Sequence, residues 1–196
     1  FEVGKLTLTT TYWWLDIESE LIFVGDSNAV EPKSGGRRHG YEVVAFWRPV
    51  EWIGIDGVYT RSHARYKDPQ EDPDGTLQGS FVEGSVESAG ELGVSAVRGP
   101  WEASARLRYL GPYPLVPSGT RRADSESILN ARLAYRFGPA TLYGEVLNVL
   151  ADQGNDIRYY YPTFVPGITA PGEQIATFLS RAEEPRTVRV GLKYSF

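Results

Sequence analysis

Eight stretches of this chain alternate apolar and polar residues with a period of two, and they are joined alternately by short turns and by long polar loops. That period belongs to a strand with one greasy face. The last stretch is the plainest: Val188, Val190, Leu192, Tyr194 and Phe196 share one face, and Arg189, Gly191, Lys193 and Ser195 share the other. A greasy strand edge in water invites aggregation unless it is paired, covered or closed into a barrel. The alternation of connections narrows the choice further. A membrane barrel carries short turns at its periplasmic rim and long loops at its outer rim, whereas a soluble all-β protein has no such requirement.

Taken in order, Lys5 to Trp14 place Leu6, Leu8, Thr10, Tyr12 and Trp14 on one face, with a break in parity expected at Trp13 and Trp14. The stretch continues through Asp16, Glu18 and Glu20 into water. Gly25 to Gly36 reads as a loop, and the return strand sets Tyr41, Val43, Ala45 and Trp47 against Glu42, Val44, Phe46 and Arg48. A tight turn at Arg48 to Glu51 leads into Trp52 to Arg65. Lys67 to Gly84, rich in Pro, Gly and acids, reads as a loop.

Val86 to Ala96, the turn at Gly99 and Pro100, and Trp101 to Tyr109 form a hairpin with clean faces. After a loop at Gly111 to Glu126, Leu129 to Phe137 and Ala140 to Leu150 form another about Gly138 and Pro139, with a bulge expected where Glu145 and Asn148 fall on opposite parities. Ala151 to Glu184 is the longest loop. The fold class expected is all-β: an antiparallel transmembrane β-barrel unit over residues 1–196, eight strands in an up-and-down meander, short periplasmic turns and long extracellular loops.

Composition bears on what this excludes. The net charge is −5, so no basic field argues for nucleic acid. No cysteine is present, which removes disulfide scaffolds and cysteine chemistry. No window reaches the ~18 apolar residues of a membrane helix, but a barrel strand needs only ~9 to 11 residues with one apolar face. An aromatic content of 13% fits the interfacial girdles of such a barrel. The absence of an initiator methionine suggests a processed chain or an excised fragment, and no signal peptide is expected at Phe1 to Leu8.

His39 and His63 lie near the loop ends of adjacent strands and with Glu18 or Glu20 resemble the beginnings of a metal site, but two histidines without a clustered third ligand do not make one. Ser62 adjoins His63, yet neighbours in a strand point to opposite faces and cannot act as nucleophile and base. Neither metal, cofactor nor catalysis is expected. On the polar face, Arg48, Arg106, Arg108, Arg132, Arg136, Arg189 and Lys193 stand against Glu42, Asp56, Glu87, Glu91, Glu102 and Glu145. Near balance points to cross-strand ion pairs lining an interior; the functional alternative is an anion-attracting channel. Tyr159, Tyr160 and Tyr161 could stack on a ligand or pack within the loop. The acidic run Asp68 to Asp74 lacks calcium-loop spacing and reads as solvated surface.

Two stretches resemble the C-terminal barrel segment of TonB-dependent receptors of the Gram-negative outer membrane. One is Leu147 to Asp152 followed by Asn155, Asp156, Ile157 and Tyr159 to Tyr161; the other is Glu184 to Thr187 running into the final strand. Arg189, Gly191, Tyr194 and Phe196 look like the barrel-assembly signal. The resemblance implies uptake of siderophores or other nutrients, captured by loops and plug and moved through the lumen. It implies as partners outer-membrane lipid and lipopolysaccharide, the barrel-assembly machinery, and the rest of a receptor barrel. No plug domain or energy-coupling box is recognised in these residues. The chain therefore reads as one arc of a receptor, part of a split receptor, or a self-closed eight-stranded barrel with a structural, adhesive or assembly role. A soluble β-sandwich or lipocalin-like barrel would instead bury Trp47, Trp101, Leu133 and Tyr135 in a dry interior.

Overall fold

The computed structural model describes residues 2–3, 5–24 and 29–195. In chain order its strands are β1 (Glu2–Val3), β2 (Leu6–Val24), β3 (Ala29–Val50), β4 (Ile53–Glu71), β5 (Gln78–Phe81), β6 (Ser88–Arg98), β7 (Trp101–Leu110), β8 (Tyr113–Pro114), β9 (Arg122–Ala123), β10 (Glu126–Phe137), β11 (Ala140–Leu147), β12 (Asn155–Thr163), β13 (Ile175–Ala182) and β14 (Thr187–Tyr194). The main sheet is an antiparallel meander in the order β1-β2-β3-β4-β6-β7-β10-β11-β14, with β5 folded back on β4. Its eight long members are the eight expected strands.

The turn end is built by chemistry legible in the chain. β6 and β7 are joined by Gly99 and Pro100, β10 and β11 by Gly138 and Pro139, and both glycines sit at positive φ, 59° and 58°. A two-residue hairpin loop of the II′ type needs this at its first position. Between β3 and β4 the register shifts from Trp47 to Val50, a bulge that lets the chain turn without glycine.

The long strands differ from expectation at the loop end. β3 runs for 22 residues and takes in 29–36, part of the segment expected to be loop, because β2 and β3 continue pairing from Ile17↔Gly36 to Val24↔Ala29. Residues 25–28 of that segment lie outside the described residues. Only ~9 to 11 tilted residues are needed to cross hydrocarbon, so the upper part of the β2–β3–β4 sheet stands clear of it. The Lys67 to Gly84 loop is likewise partly strand, in β4 and β5, and Ala151 to Glu184 contains the β12–β13 hairpin. Polar strands outside the membrane carry no apolar alternation, which is why the pattern missed them.

Two further expectations are corrected. The parity break at Trp13 is absent: β2 pairs with β3 without a shift from Leu6↔Trp47 to Ile17↔Gly36. Trp13 fits on the polar face because Gly40 opposite it has no side chain, and a Cβ there would meet the indole at 2.7 Å. The expected bulge falls at the strand end and not at Glu145: the register is unbroken from Phe137↔Ala140 to Ala131↔Val146, and beyond Leu147 the chain slips by one residue at Asn148, φ 50°, so that the Val149 N–H donates to the Leu129 carbonyl.

The apolar face is open to its surroundings: Val190 is 76% and Leu192 64% exposed, and Trp47, Trp101, Leu133 and Tyr135 are exposed too. The buried clusters, Ala64–Tyr66–Val82 and Tyr113–Leu115–Ala123, both lie at the loop end. A soluble sandwich would bury that face, so its place is lipid. Among the described residues, β14 pairs with β11 alone and β2 with β1 and β3, so the sheet has two edges and is not a closed ring.

Candidate functional site

The polar face holds its charges in cross-strand rows. One row reads Asp56, Gly93, Arg106 and Asn130 across β4, β6, β7 and β10. Asp56 and Arg106 are therefore two strands apart, yet their side chains meet at 3.1 Å. They do so over Gly93, where a Cβ would stand 2.6 Å from the Asp56 carboxylate and 2.7 Å from the guanidinium. Arg106 also pairs with Glu91. In the neighbouring row Arg132 pairs with Glu145 and lies 4.1 Å above the Tyr143 ring, and nearer the turns Arg136 pairs with Glu102.

Three of the expected wall cations are thus neutralised, as cross-strand pairing requires. Glu42, Arg48, Arg189 and Lys193 form no ion pair with a described residue; Arg48 lies 5.8 Å from the Phe46 ring centroid. Arg189 stands opposite Glu145 in register, but Arg132 occupies that carboxylate. Glu87 departs from the wall set and pairs with Arg122 of the neighbouring loop segment.

At the loop end the wall carries a knot that the pattern did not reveal. Asn148 is buried, and its side-chain amide donates to the carbonyls of Asp152 and Glu184 at 2.9 and 3.0 Å, while its Oδ1 accepts from the Asp152 backbone N–H. Its own N–H donates to Asn130 Oδ1. One residue thereby ties the wall to both the departing and the returning ends of the long loop. The stretch Leu147 to Asp152, which carries the family resemblance, is the sequence signal for it.

Beside the knot, Arg108 reaches Glu126 at 3.1 Å and Glu183 at 3.6 Å. The Oε2 atoms of both carboxylates are buried without a hydrogen-bond partner in the protein. Glu126 pairs with Leu110, one step beyond the Tyr109 row, and so lies outside the lipid-facing belt. Burial pushes its carboxyl above the usual range and Glu183 adds to the effect, against the pull of Arg108.

The three loop tyrosines divide. Tyr160 packs edge-on against Phe178 at 5.1 Å and against the Tyr113–Leu115–Ala123 cluster, with Arg121 5.4 Å from its ring. Tyr159 and Tyr161, two residues apart in β12, pair with each other at 6.3 Å, and Tyr159 is 44% exposed. Of the assembly signal, Gly191 lies under the Tyr143 ring, so that a Cβ would meet it at 2.3 Å; Tyr194 is on the apolar face; Phe196 lies outside the described residues. His39 and His63 do meet, 5.3 Å between ring centroids, but no group of three His, Cys, Asp or Glu able to hold a metal occurs among the described residues. The side chain of Glu20 lies outside them.

Comparison with known proteins agrees with this geometry. The ferric yersiniabactin uptake receptor FyuA from Yersinia pestis superposes with a TM-score of 0.71 at 15% identity, over 100% of this chain and 28% of that one. The ferric-catecholate import receptor Fiu from E. coli K12 gives 0.68 at 20% identity, over 98% and 25%. The siderophore receptor PiuA from Acinetobacter baumannii gives 0.65 at 14%, over 99% and 26%. The chain spans about a quarter of the length of these receptors. No curated protein sequence matches it. The family model described as TonB dependent receptor-like, beta-barrel matches residues 1–149. This chain therefore belongs to the TonB-dependent receptor β-barrel family, and its apolar face is the lipid face of a Gram-negative outer-membrane wall.

Proposed function

We propose that the chain is the C-terminal arc of a TonB-dependent uptake receptor that imports siderophores or comparable nutrients. The observation that carries this reading is the pair of open sheet edges on a wall whose polar face is ion-paired. In hydrocarbon an unpaired strand edge leaves N–H and C=O groups that lipid cannot satisfy, so a spanning sheet must be part of a closed ring. Further strands at β2 and β14 meet that requirement, whereas a self-closed barrel of this chain would need those two strands to pair.

In this reading the 1–196 unit is wall alone, and the plug belongs elsewhere in the receptor. The β12–β13 hairpin is the ligand-facing element, with Tyr159 and Tyr161 offering stacking faces and Tyr160 holding the hairpin down. Arg189, Gly191, Tyr194 and Phe196 are read by the barrel-assembly machinery, and lipopolysaccharide borders the outer rim. The role is transport and not catalysis: Ser62 Oγ donates to the Val86 carbonyl at 2.7 Å, while His63 stands on the opposite face.

Uptake of radiolabelled ferric siderophores by cells with and without the native gene tests the proposal. Accumulation that depends on the gene and collapses with a protonophore is expected; equal uptake by both strains across a siderophore panel overturns it.

A further inference from the structure

The two edges of the sheet carry unlike polar faces. β14 presents Thr187, Arg189, Gly191 and Lys193 on that face, two cations and no acid. β2 presents Thr7, Thr9, Thr11 and Trp13, with no charge, and Lys5 immediately precedes it. Between the two edges the wall pairs its charges across strands, so the unbalanced charge of an edge specifies the chemistry of the strand that suits it.

The strands behind β14 leave its cations unmatched. In register one row reads Ser104–Arg132–Glu145–Arg189 across β7, β10, β11 and β14, and another reads Arg136–Thr141–Lys193 across β10, β11 and β14. Glu145 is taken by Arg132 and Glu102 by Arg136, while Arg106 holds Asp56 and Glu91. Arg189 and Lys193 stand exposed, and neither forms an ion pair with a described residue. Closure of β14 on β2 would not balance them. Glu42 lies one strand further on, in β3, behind Thr11. The reach over an intervening strand that joins Asp56 to Arg106 depends on Gly93, and Thr11 puts a side chain in the corresponding place.

We propose that β14 is the docking edge for a β-strand of the receptor outside residues 1–196 whose inward face carries carboxylates opposite Arg189 and Lys193, four residues apart. The proposal rests on the receptor reading and adds to it the chemistry of the neighbouring strand. Antiparallel pairing sets the spacing: the residues opposite positions 189 and 193 are themselves four apart, and an even spacing keeps both side chains on one face. The main-chain ladder supplies the attraction in hydrocarbon, and the charges supply the choice of partner. A second copy of β14 in the same place would set cation against cation.

The test treats the full receptor in native outer membranes with a carbodiimide, which joins an amine to a carboxylate in contact with it and adds no spacer, and reads the joined peptides by mass spectrometry. Lys193 is expected to couple to an Asp or Glu outside residues 1–196, and Lys193→Gln should lose that product. Arg189→Lys should add a second product, four residues away on the same partner segment. Coupling of Lys193 to a carboxylate of residues 1–24 would mean that β14 meets the other edge of this chain, and would set aside the receptor reading together with the proposal. Coupling only to other carboxylates of this chain, no coupling, or partners without the four-residue spacing, as an acidic plug segment would give, overturns the charge match and leaves the receptor reading standing. Charge reversal is read separately by heat-modifiable gel migration. Arg189→Glu with Lys193→Glu should lower the unfolding temperature, and changing the two identified carboxylates to Lys in that variant should recover it; an unchanged temperature overturns the proposal. If the reversed variant does not insert, the coupling products of the parent receptor decide.

Discussion

Glu126 illustrates what a single residue contributes here. It begins β10, accepts from Arg108 through one oxygen, and buries the other without a partner beside Glu183. Its carboxyl is raised above the ordinary 4.5 by burial first and by Glu183 second. A carboxyl raised in the folded state favours folding while protonated. Its contribution is full below that ordinary value and is lost as pH rises through the raised one. The base of the long loop should therefore close more firmly in mild acid than at neutral pH. Limited proteolysis of residues 151–186 in the native receptor should slow as pH falls through this window. Glu126→Gln should remove most of that dependence and leave the loop at neutral pH at least as resistant as the parent. Faster cleavage in the variant at neutral pH would show that the ionised form is the one the structure needs. None of this was legible in the sequence, where Glu126 stood merely as the last residue of a loop.

At the scale of elements, β14 repays its expected role with a packing reason for its glycine. Tyr143 of β11 lies across Gly191, with Arg132 above the same ring. Gly191→Val should cost about 1–3 kcal/mol by displacing the ring into the polar lining, read as a lower temperature of heat-modifiable unfolding. Adding Tyr143→Ala should restore part of that loss; no recovery would mean that Gly191 acts through β14 alone. The faces of β14 are testable as well, since the chain contains no cysteine to interfere. Val190→Cys should react with a lipophilic maleimide and not with a charged one, and Arg189→Cys should show the reverse preference. The alternation had placed both faces correctly. It could not place the strand ends beyond the lipid, because β3 above the girdle has water on its outer face and needs no greasy residues there.

For the whole molecule the open edges carry the consequence. Thr9 and Val44 are register partners on the polar face of β2 and β3. Cysteines placed at these two positions should cross-link readily in the native membrane. A cysteine at Thr9 combined with one at Arg189, Gly191 or Lys193 should not, because β2 and β14 are expected to have other neighbours. An efficient cross-link in any of those three would make this chain a small closed barrel and would set aside the receptor arc.

The order of eight strands, the two faces, the turns and the family likeness were all determined by the sequence alone, because lipid on one side and polar contents on the other impose a period of two. Tertiary structure alone decided which charges meet. Asp56 reaches Arg106 across an intervening strand because Gly93 leaves the way clear, and Asn148 gathers both ends of the long loop, one of them at Glu184, 36 residues along the chain from it. It also decided that Tyr160 packs against the buried loop-end cluster while Tyr159 stands exposed. Alternation records which face a side chain takes, but the partner across the sheet depends on register, and register is settled only when the strands pair.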